Sequence, residues 1–354
     1  MKNKKLQIVE INAKNEYEIG YKLGEIFKEY LQEKIIIHEE RLKKDKIKEA
    51  VLQLEKKLKK EYPQYLEEIY GRAEGAEVDK LALLLMFCPE IYKAIGGCTT
   101  IIAKQKEERV LFCHNEDGLN KTLDMIAIVK INFNNEWVVG YVFADKLLGS
   151  AFAYNSYGMI FSNNYIYGVN NNINNVSRYF MTRDLMFAKD MNEVIQKVNR
   201  VEIASAFSLN VLDIKTKEVF NIEKEHDKTD ITKINNIYAR SNHLLVRAKS
   251  ENDIPETSIF RYNKANELIE KLDIKNLEIE QLVHILQYKT KDYNKTIYKD
   301  RNYFKELKKS TTCATFSFDT LNSNVIIYDY IGKEKIIMDY NSFDVNREKL
   351  LKID

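Results

Sequence analysis

A cysteine placed directly after two glycines is the residue best suited to chemistry in this 354-residue chain. Cys98 follows Gly97 and precedes Thr99 and Thr100, the first residues of a β-like run. If the chain were cut between Gly97 and Cys98, the thiol would gain a free α-amine on its own residue. A thiol with a pKa of about 8.5 is only a few per cent ionised at neutral pH, and an amine with a pKa of about 7.7–8.0 can accept its proton. The sequence therefore indicates a nucleophile that the chain can activate by cutting itself.

Two neighbouring strands are expected to bring polar side chains next to this cysteine. The strand that begins at Cys98 and the strand that follows it are predicted to form a hairpin. If Ala103 pairs with Val110, Cys98 lies beside Asn115, with a margin of one or two residues in register. Because side chains alternate along a strand, Asn115 and Asp117 share one face. A nucleophile, an amide and a carboxylate would then meet at one strand end.

The elements that position these residues change character at Gly97. The first 95 residues are predicted to be mostly helical after a short strand at 6–12, with a continuous helical pattern over 16–60 and a break at Tyr62-Pro63. Strands are predicted at 99–103, 110–114, 125–133, 137–144, 159–163, 207–214 and 219–222 and in a final hairpin over 314–339, and further helices at 179–198 and 257–288. This order predicts an α+β fold in which helices cover the outer faces of sheets. The chain contains no Gly/Ser/Pro-rich linker and no internal repeat, so one domain over residues 1–354 is expected.

Composition narrows the class of protein. Hydrophobic residues make up 45% of the chain and the formal net charge is +2, which is typical of a globular protein and does not favour nucleic acid or an anionic membrane as a partner. The apolar runs are too short to span a bilayer, and the amino terminus lacks a secretory pattern. The four cysteines form no CxxC pair, so neither a zinc site nor a disulfide framework is indicated. A cytoplasmic protein with reduced thiols is the expectation.

A set of motifs in a fixed order resembles one known family. Gly97-Cys98-Thr99-Thr100 followed by His114-Asn115-Glu116-Asp117 resembles the acyl-CoA:6-aminopenicillanate acyltransferase family of self-processing N-terminal-nucleophile (Ntn) hydrolases. Further pieces of the resemblance lie at 18–21, 62–69, 73–77, 154–158, 204–207, 241–243 and 312–316. Each piece is short, but their order and spacing cover nearly the whole chain.

This resemblance implies a four-layer αββα sandwich and a precursor that cuts itself at Gly97–Cys98. The fragments 1–97 and 98–354 would stay associated, and the second would carry the catalytic residues. Cys98 would attack the amide of a small-molecule substrate, Asp117 would tune its α-amine, and Asn242 would donate to the oxyanion, a role worth about 3–4 kcal/mol. The supporting candidates are Asn115, Asn163 (with Asn164 or Asn155 as alternatives), Ser205 and His243. No metal or organic cofactor is implied.

The chain also departs from the family pattern. Glu116 stands where the acyltransferase has an aromatic residue, and Ser310-Thr311-Thr312-Cys313 replaces a basic residue before the last Ala-Thr strand. These positions are expected to line the pocket, which argues against penicillin as the substrate. Hydrolysis of a small N-acyl amide through an acyl-Cys98 thioester is the favoured function, and acyl transfer to an amine is the alternative. Two rivals of another class are an uncut thiol enzyme that pairs Cys98 with His114 or His243, and a noncatalytic binding protein.

Overall fold

The structure is a computed structural model that describes residues 5–91, 97–105, 109–119, 125–247, 253–304 and 309–350. The helices are α1 (Glu16–Ile26), α2 (Lys28–Leu42), α3 (Asp45–Glu61), α4 (Pro63–Ala76), α5 (Lys80–Met86), α6 (Arg178–Leu185), α7 (Met191–Arg200), α8 (Glu256–Ile269), α9 (Ile279–Leu286) and α10 (Arg301–Phe304). The strands are β1 (Gln7–Asn12), β2 (Gly97–Lys104), β3 (Val110–Leu119), β4 (Ile126–Phe133), β5 (Glu136–Phe143), β6 (Ala153–Asn155), β7 (Met159–Tyr165), β8 (Ala206–Asp213), β9 (Glu218–Glu225), β10 (Lys228–Lys233), β11 (Ile237–Arg240), β12 (Ser310–Asp319), β13 (Asn324–Asp329), β14 (Glu334–Asp339) and β15 (Val345–Lys349). None of the helices in these ranges is both long and apolar enough to cross a membrane.

The strands form two sheets within the described ranges. The first has the order β1-β4-β5-β6-β7-β8-β9-β10, and the second has the order β11-β2-β3-β12-β13-β14-β15. β1 pairs in parallel with β4, whereas the neighbours of β2 and β3 pair antiparallel. β2 and β3 lie side by side near the middle of the second sheet, so both are flanked by other strands.

Three hydrophobic cores separate four layers. The first core joins α1–α7 to one face of the first sheet, through residues such as Leu23 on α1 and Val129 on β4. The second lies between the two sheets, where Tyr141 meets Phe316 with ring centroids 5.0 Å apart. The third joins the outer face of the second sheet to α8 and α9. Helix, sheet, sheet and helix layers follow one another, which confirms the predicted α+β fold and αββα order.

The helical layer over the first sheet is held together by unusually close packing of α1 against α4. Gly20 and Gly24 on α1 lie against the backbone of α4, and Gly71 and Gly75 on α4 lie against the backbone of α1. A Cβ added at Gly71 would lie 2.0 Å from the backbone oxygen of Tyr17. Glycine is therefore needed here because the two backbones touch, and a side chain would push the helices apart.

Most predicted elements are found, with three informative differences. The helical pattern over 16–60 is divided into α1, α2 and α3 without a proline, because each helix turns to bury its own apolar face in the first core. The segment 314–339, predicted as a hairpin, holds the second half of β12 together with β13 and β14, and β15 extends the sheet further. The short strands β6, β10 and β11 were not predicted, since three to six residues give little periodic signal.

Candidate active site

The register of β2 and β3 decides which side chains meet the cysteine. Cys98 pairs with Glu116, and Gly97 pairs with Asp117, one residue from the predicted pairing with Asn115 and inside its margin. Cys98 and Glu116 therefore point to the same face, toward the first sheet, and the Cys98 Sγ donates a hydrogen bond of 3.3 Å to Glu116 Oε2. Asn115 and Asp117 share the opposite face, as the alternation of side chains requires.

A line of hydrogen bonds continues from Glu116 into the space between the sheets. Glu116 Oε2 lies 3.3 Å from His114 Nε2, and His114 Nδ1 lies 2.8 Å from Thr100 Oγ1. Thr100 Oγ1 in turn donates to Asn164 Oδ1 at 2.9 Å. All five side chains from Cys98 to Asn164 are buried, so the line is shielded from bulk water.

The first three members of this line also form a compact donor set. The Cys98 Sγ, one ring nitrogen of His114 and one carboxylate oxygen of Glu116 lie within 4.8 Å of one another. Zinc accepts such donors in other proteins. Here the hydrogen bonds that link the three side chains already explain why they cluster, and proton sharing between them is the chemistry that the geometry supports directly.

The electrostatic surroundings keep the thiol protonated. Burial raises the pKa of Cys98 well above its usual value, and the nearby Glu116 and Asp117 carboxylates raise the pKa further. The Lys146 ammonium acts in the opposite direction but does not reverse the shift. Reaction at Cys98 therefore requires a base close to the sulfur.

The backbone of Cys98 is held separately from its thiol. Its N–H donates to Asn242 Oδ1 at 3.0 Å, and the Arg261 guanidinium donates to its carbonyl oxygen. Arg261 Nη2 also donates to Asn242 Oδ1 at 2.6 Å, while Asn242 Nδ2 donates to the Tyr165 carbonyl oxygen at 2.7 Å. Two donors thus fix the orientation of the Asn242 amide. Its Nδ2 carries two hydrogens, and the bond to Tyr165 uses one of them.

The turn after β11 carries Asn242, and α8 fixes that turn. The Asn242 backbone N–H donates to Ser258 Oγ at 2.9 Å, and Ser258 Oγ lies 3.0 Å from His243 Nδ1. Burial lowers the pKa of His243 to about 4, and the cations of Arg240 and Arg261 contribute to this shift. His243 is therefore a neutral ring at physiological pH that packs under the turn.

Asp117 lies beside the residue that precedes the cysteine. Its Oδ2 forms an ion pair of 2.8 Å with Lys299 Nζ, and its Oδ1 accepts a hydrogen bond of 2.8 Å from Thr312 Oγ1. Asp117 and Lys299 are each about 1% exposed. A Cβ added at Gly97 would lie 2.8 Å from Asp117 Oδ2 and 2.9 Å from Lys299 Nζ. Glycine at this position lets the ion pair touch the backbone next to Cys98.

Three of the supporting candidates form hydrogen bonds outside the line that leads to Cys98. Asn115 Nδ2 donates to the Leu286 carbonyl oxygen in α9, on the outer side of the second sheet. Asn163 Nδ2 donates to the carbonyl oxygen of Gly149, on the side of β7 opposite to Asn164. The Ser205 hydroxyl donates to Glu90 Oε1 at 2.8 Å. Of the asparagines considered, Asn164 is the one on the line that leads to Cys98, and its Nδ2 is buried without a hydrogen-bond partner among the described residues.

Sequence reasoning missed three residues of this site. Arg261 and Lys299 come from segments without a motif, and only the folded chain brings them to Cys98 and Asp117. In the sequence, Glu116 stands out only as a departure from the family pattern. The spacing of His114 and Glu116 on one strand could have identified them as neighbours on a single face, because residues two apart on a strand point the same way.

One curated protein shares sequence similarity with part of the chain. The chain is 28% identical over 176 residues to the beta-alanyl-dopamine/carcinine hydrolase of Drosophila melanogaster, covering 44% of this chain and 45% of the relative, so the match spans about half the length of that relative.

Solved structures with a similar arrangement include an N-acylethanolamine-hydrolyzing acid amidase (NAAA) ortholog from Caenorhabditis elegans, with 14% identity, a TM-score of 0.46, and coverage of 62% of this chain and 92% of the other. A mutant of the conjugated bile acid hydrolase from Clostridium perfringens has 15% identity, a TM-score of 0.48, and coverage of 73% and 99%. The penicillin V acylase from Agrobacterium tumefaciens has 8% identity, a TM-score of 0.46, and coverage of 71% and 90%.

A model of one protein family matches most of the chain. The match runs over residues 103–328, which contain Asp117 and Asn242, while Cys98 lies five residues before it. The matched family is described as acyl-coenzyme A:6-aminopenicillanic acid acyl-transferase. The range spans well over half of the chain, and the chain therefore belongs to the acyl-coenzyme A:6-aminopenicillanic acid acyl-transferase family.

Proposed function

We propose that the chain is a self-processing Ntn amidohydrolase, which cuts its own Gly97–Cys98 bond and then hydrolyses small N-acyl amides with the Cys98 thiol. The arrangement around Cys98 carries this proposal. Asn242 and Arg261 hold the two backbone groups of Cys98, while the thiol points away from them toward Glu116. A residue held in this way can lose its upstream peptide bond without losing its position.

After cleavage, the freed amine of Cys98 serves as the base for its own thiol. The amine accepts the thiol proton, the sulfur attacks the substrate carbonyl, and the amine product leaves with a proton. The second Nδ2 hydrogen of Asn242 is available for the oxyanion, because the bond to Tyr165 uses only the first. Asp117, beside Gly97 in the uncut chain, lies where a carboxylate can tune the new amine. Water then hydrolyses the acyl-Cys98 thioester.

The substrate class follows from the chemistry and from the relative. The name of the Drosophila melanogaster relative describes hydrolysis of beta-alanyl-dopamine and carcinine. We take a linear N-acyl amine of this kind as the first substrate class to test. The departures at Glu116 and at residues 310–313 argue against penicillin, as the sequence already indicates.

Intact-mass spectrometry of freshly purified protein tests the processing step. Under denaturing conditions, wild-type protein should give two masses that divide at Gly97/Cys98, and Cys98→Ala should give a single chain of 41.6 kDa without turnover of N-acyl amines. Cleavage of the Cys98→Ala protein at this bond would contradict the mechanism. A single uncut wild-type mass that still hydrolyses amides, with activity lost in His114→Gln, would instead support the uncut Cys–His enzyme.

Acyl transfer is the second candidate, and the name of the matched family favours it. Hydrolysis and transfer share the acyl-Cys98 intermediate and differ only in whether water or an amine attacks it. The two are separated by adding an amine acceptor to a reaction with a hydrolysable substrate. A transferase would be identified if the amount of transfer product rises, the amount of free acid falls, and the rate of amine release stays constant.

A further inference from the structure

The uncut chain lacks the base that the mature enzyme would use. Before cleavage the nitrogen of Cys98 belongs to the Gly97–Cys98 peptide bond, and its N–H donates to Asn242 Oδ1. An amide nitrogen cannot accept the thiol proton. Burial and two carboxylates keep that thiol protonated through its raised pKa. The self-cleavage in the proposed function, on which this inference rests, therefore needs a second base.

Among the residues that the structure describes, the groups around the sulfur leave one candidate for this base. Glu116 Oε2 receives the thiol hydrogen at 3.3 Å. Asp117 points to the other face of β3, where Lys299 and Thr312 engage both of its oxygens. The imidazole of His114 reaches the same Glu116 oxygen. A carboxylate within hydrogen-bond reach of the proton satisfies the geometric requirement for a general base.

The remaining charged and titratable groups near Glu116 come from neighbouring elements. Lys146, after β5, contributes a cation whose pKa is raised by Glu116 among other neighbours. Tyr141 on β5 and Cys313 on β12 lie close enough for the Glu116 charge to raise their pKa values. The Lys146 cation and the His114 imidazole are therefore both neighbours of the Glu116 carboxylate.

We propose that Glu116, oriented by His114 and Thr100, is the general base of self-cleavage, and that the freed α-amine replaces it as the base of substrate turnover. The chain would thus use two bases in succession for one thiol. This gives a reason for a carboxylate at the position where the acyltransferase pattern has an aromatic residue. An aromatic side chain there could not accept the thiol proton.

The proposed step balances as a hydrolysis. The Cys98 Sγ–H proton moves to Glu116, and the sulfur forms a bond to the Gly97 carbonyl carbon. The bond between that carbon and the Cys98 nitrogen then breaks, and the proton held by Glu116 passes to the leaving nitrogen. Water opens the resulting thioester, which releases the Gly97 carboxylic acid and restores the thiol. One water molecule is consumed, and one amine and one acid are formed.

The rate of cleavage in newly synthesised protein tests this proposal. Wild type, Glu116→Gln and Asp319→Asn are pulse-labelled in a cell-free translation reaction, and the uncut fraction is followed by denaturing electrophoresis. Asp319 is a matched control, because it is a buried carboxylate of the same sheet that pairs with Arg109. The expected result is a cleavage rate at least about 100-fold lower in Glu116→Gln and unchanged in Asp319→Asn, since general bases contribute about 10²–10⁴-fold.

Two further readouts separate a base from a structural role. Cleavage of Glu116→Gln should rise about tenfold per pH unit, because only the spontaneous thiolate reacts. Formate added to Glu116→Ala should restore part of the rate by supplying the missing carboxylate. Wild-type cleavage rates in Glu116→Gln would overturn the proposal for Glu116 and leave the proposed function intact. Failure of wild type itself to cleave would overturn the proposed self-processing. A folded Glu116→Ala that formate does not rescue, together with a pH-independent Glu116→Gln, would also contradict the role.

Discussion

At the scale of single residues, Asp117 and Lys299 form a charged pair beside Gly97, at the bond expected to break. Both side chains are almost completely buried, with oxygen and nitrogen 2.8 Å apart. Removing one partner of such a pair leaves an uncompensated buried charge, which costs about 3–5 kcal/mol. Replacing both partners by neutral groups costs much less, because no charge remains to be desolvated.

Asp117→Asn should therefore lower the free energy of unfolding by about 3–5 kcal/mol, since Lys299 loses its counter-ion. The double variant Asp117→Asn/Lys299→Met should recover a large part of that loss. Urea unfolding of the three proteins, each in the same state of processing, checks this. Equal destabilisation of the single and double variants would show that the pair is not strongly coupled.

The residue scale also shows what the sequence could and could not predict. The motifs identified Cys98, Asp117 and Asn242, and the structure places all three around the Gly97–Cys98 bond; their roles stay predictions. A pairing shifted by one residue was enough to bring Glu116, and not Asn115, to the face of the thiol. Arg261 could not be predicted, because its position depends on how α8 packs on the second sheet.

At the scale of elements, the contact between α1 and α4 depends on the absence of side chains. Gly71→Ala should destabilise the protein by about 1–3 kcal/mol or more, because the new methyl group would meet the Tyr17 backbone oxygen at 2.0 Å and the helices must separate. The thermal midpoint measured by calorimetry checks this expectation. Ala73→Gly in the same helix is a control for helix propensity, which costs about 1 kcal/mol without a clash. A Gly71→Ala protein as stable as wild type would contradict the close packing.

Elements with a long periodic pattern were predictable, whereas the edge strands β10 and β15 were not. Each of five strands carries enough apolar residues to fill part of a core, and their sequences therefore show the pattern of a strand. These are β2, β3, β4, β5 and β7. β10 is largely exposed and is a strand only because β9 offers a pairing edge. β15 likewise depends on β14 and lies beyond the predicted hairpin.

At the scale of the whole molecule, acid should weaken the fold through buried neutral histidines. Burial lowers the pKa of both His38 and His243 to about 4, whereas an unfolded histidine has a pKa of about 6.5. Between these values the unfolded chain binds protons that the folded chain does not, so stability is lost as pH falls through this window. Asp329, whose pKa is raised to about 6 by burial, acts in the opposite direction and offsets part of the loss.

His38 allows this effect to be measured away from the candidate site. Between pH 7 and pH 5, the free energy of unfolding of His38→Gln should fall by about 1–2 kcal/mol less than that of wild type. His284→Gln, at an exposed position of α9, should follow the wild-type pH dependence in the same urea titrations. If the free energy of unfolding changed with pH in the same way in all three proteins, His38 would titrate alike in the folded and unfolded chains.

The four-layer order was predictable at this scale because it follows from the sequence of element types and from the resemblance of the motifs. The contacts between the layers were not predictable, since they depend on how the shapes of the side chains fit together. Tyr141 and Phe316, for example, are ordinary strand aromatics in the sequence, yet they join the two sheets edge to face.

β1 determines whether the two fragments separate after the proposed cut. This strand precedes Cys98, yet it forms the edge of a sheet whose other seven described strands all follow Cys98. Cutting before Cys98 would therefore release no peptide that could diffuse away and inhibit other copies in trans. Both fragments would come from one translated chain and would therefore be present in equal numbers. Maturation would increase the number of chain ends, and the total mass of the protein would change only by one added water molecule.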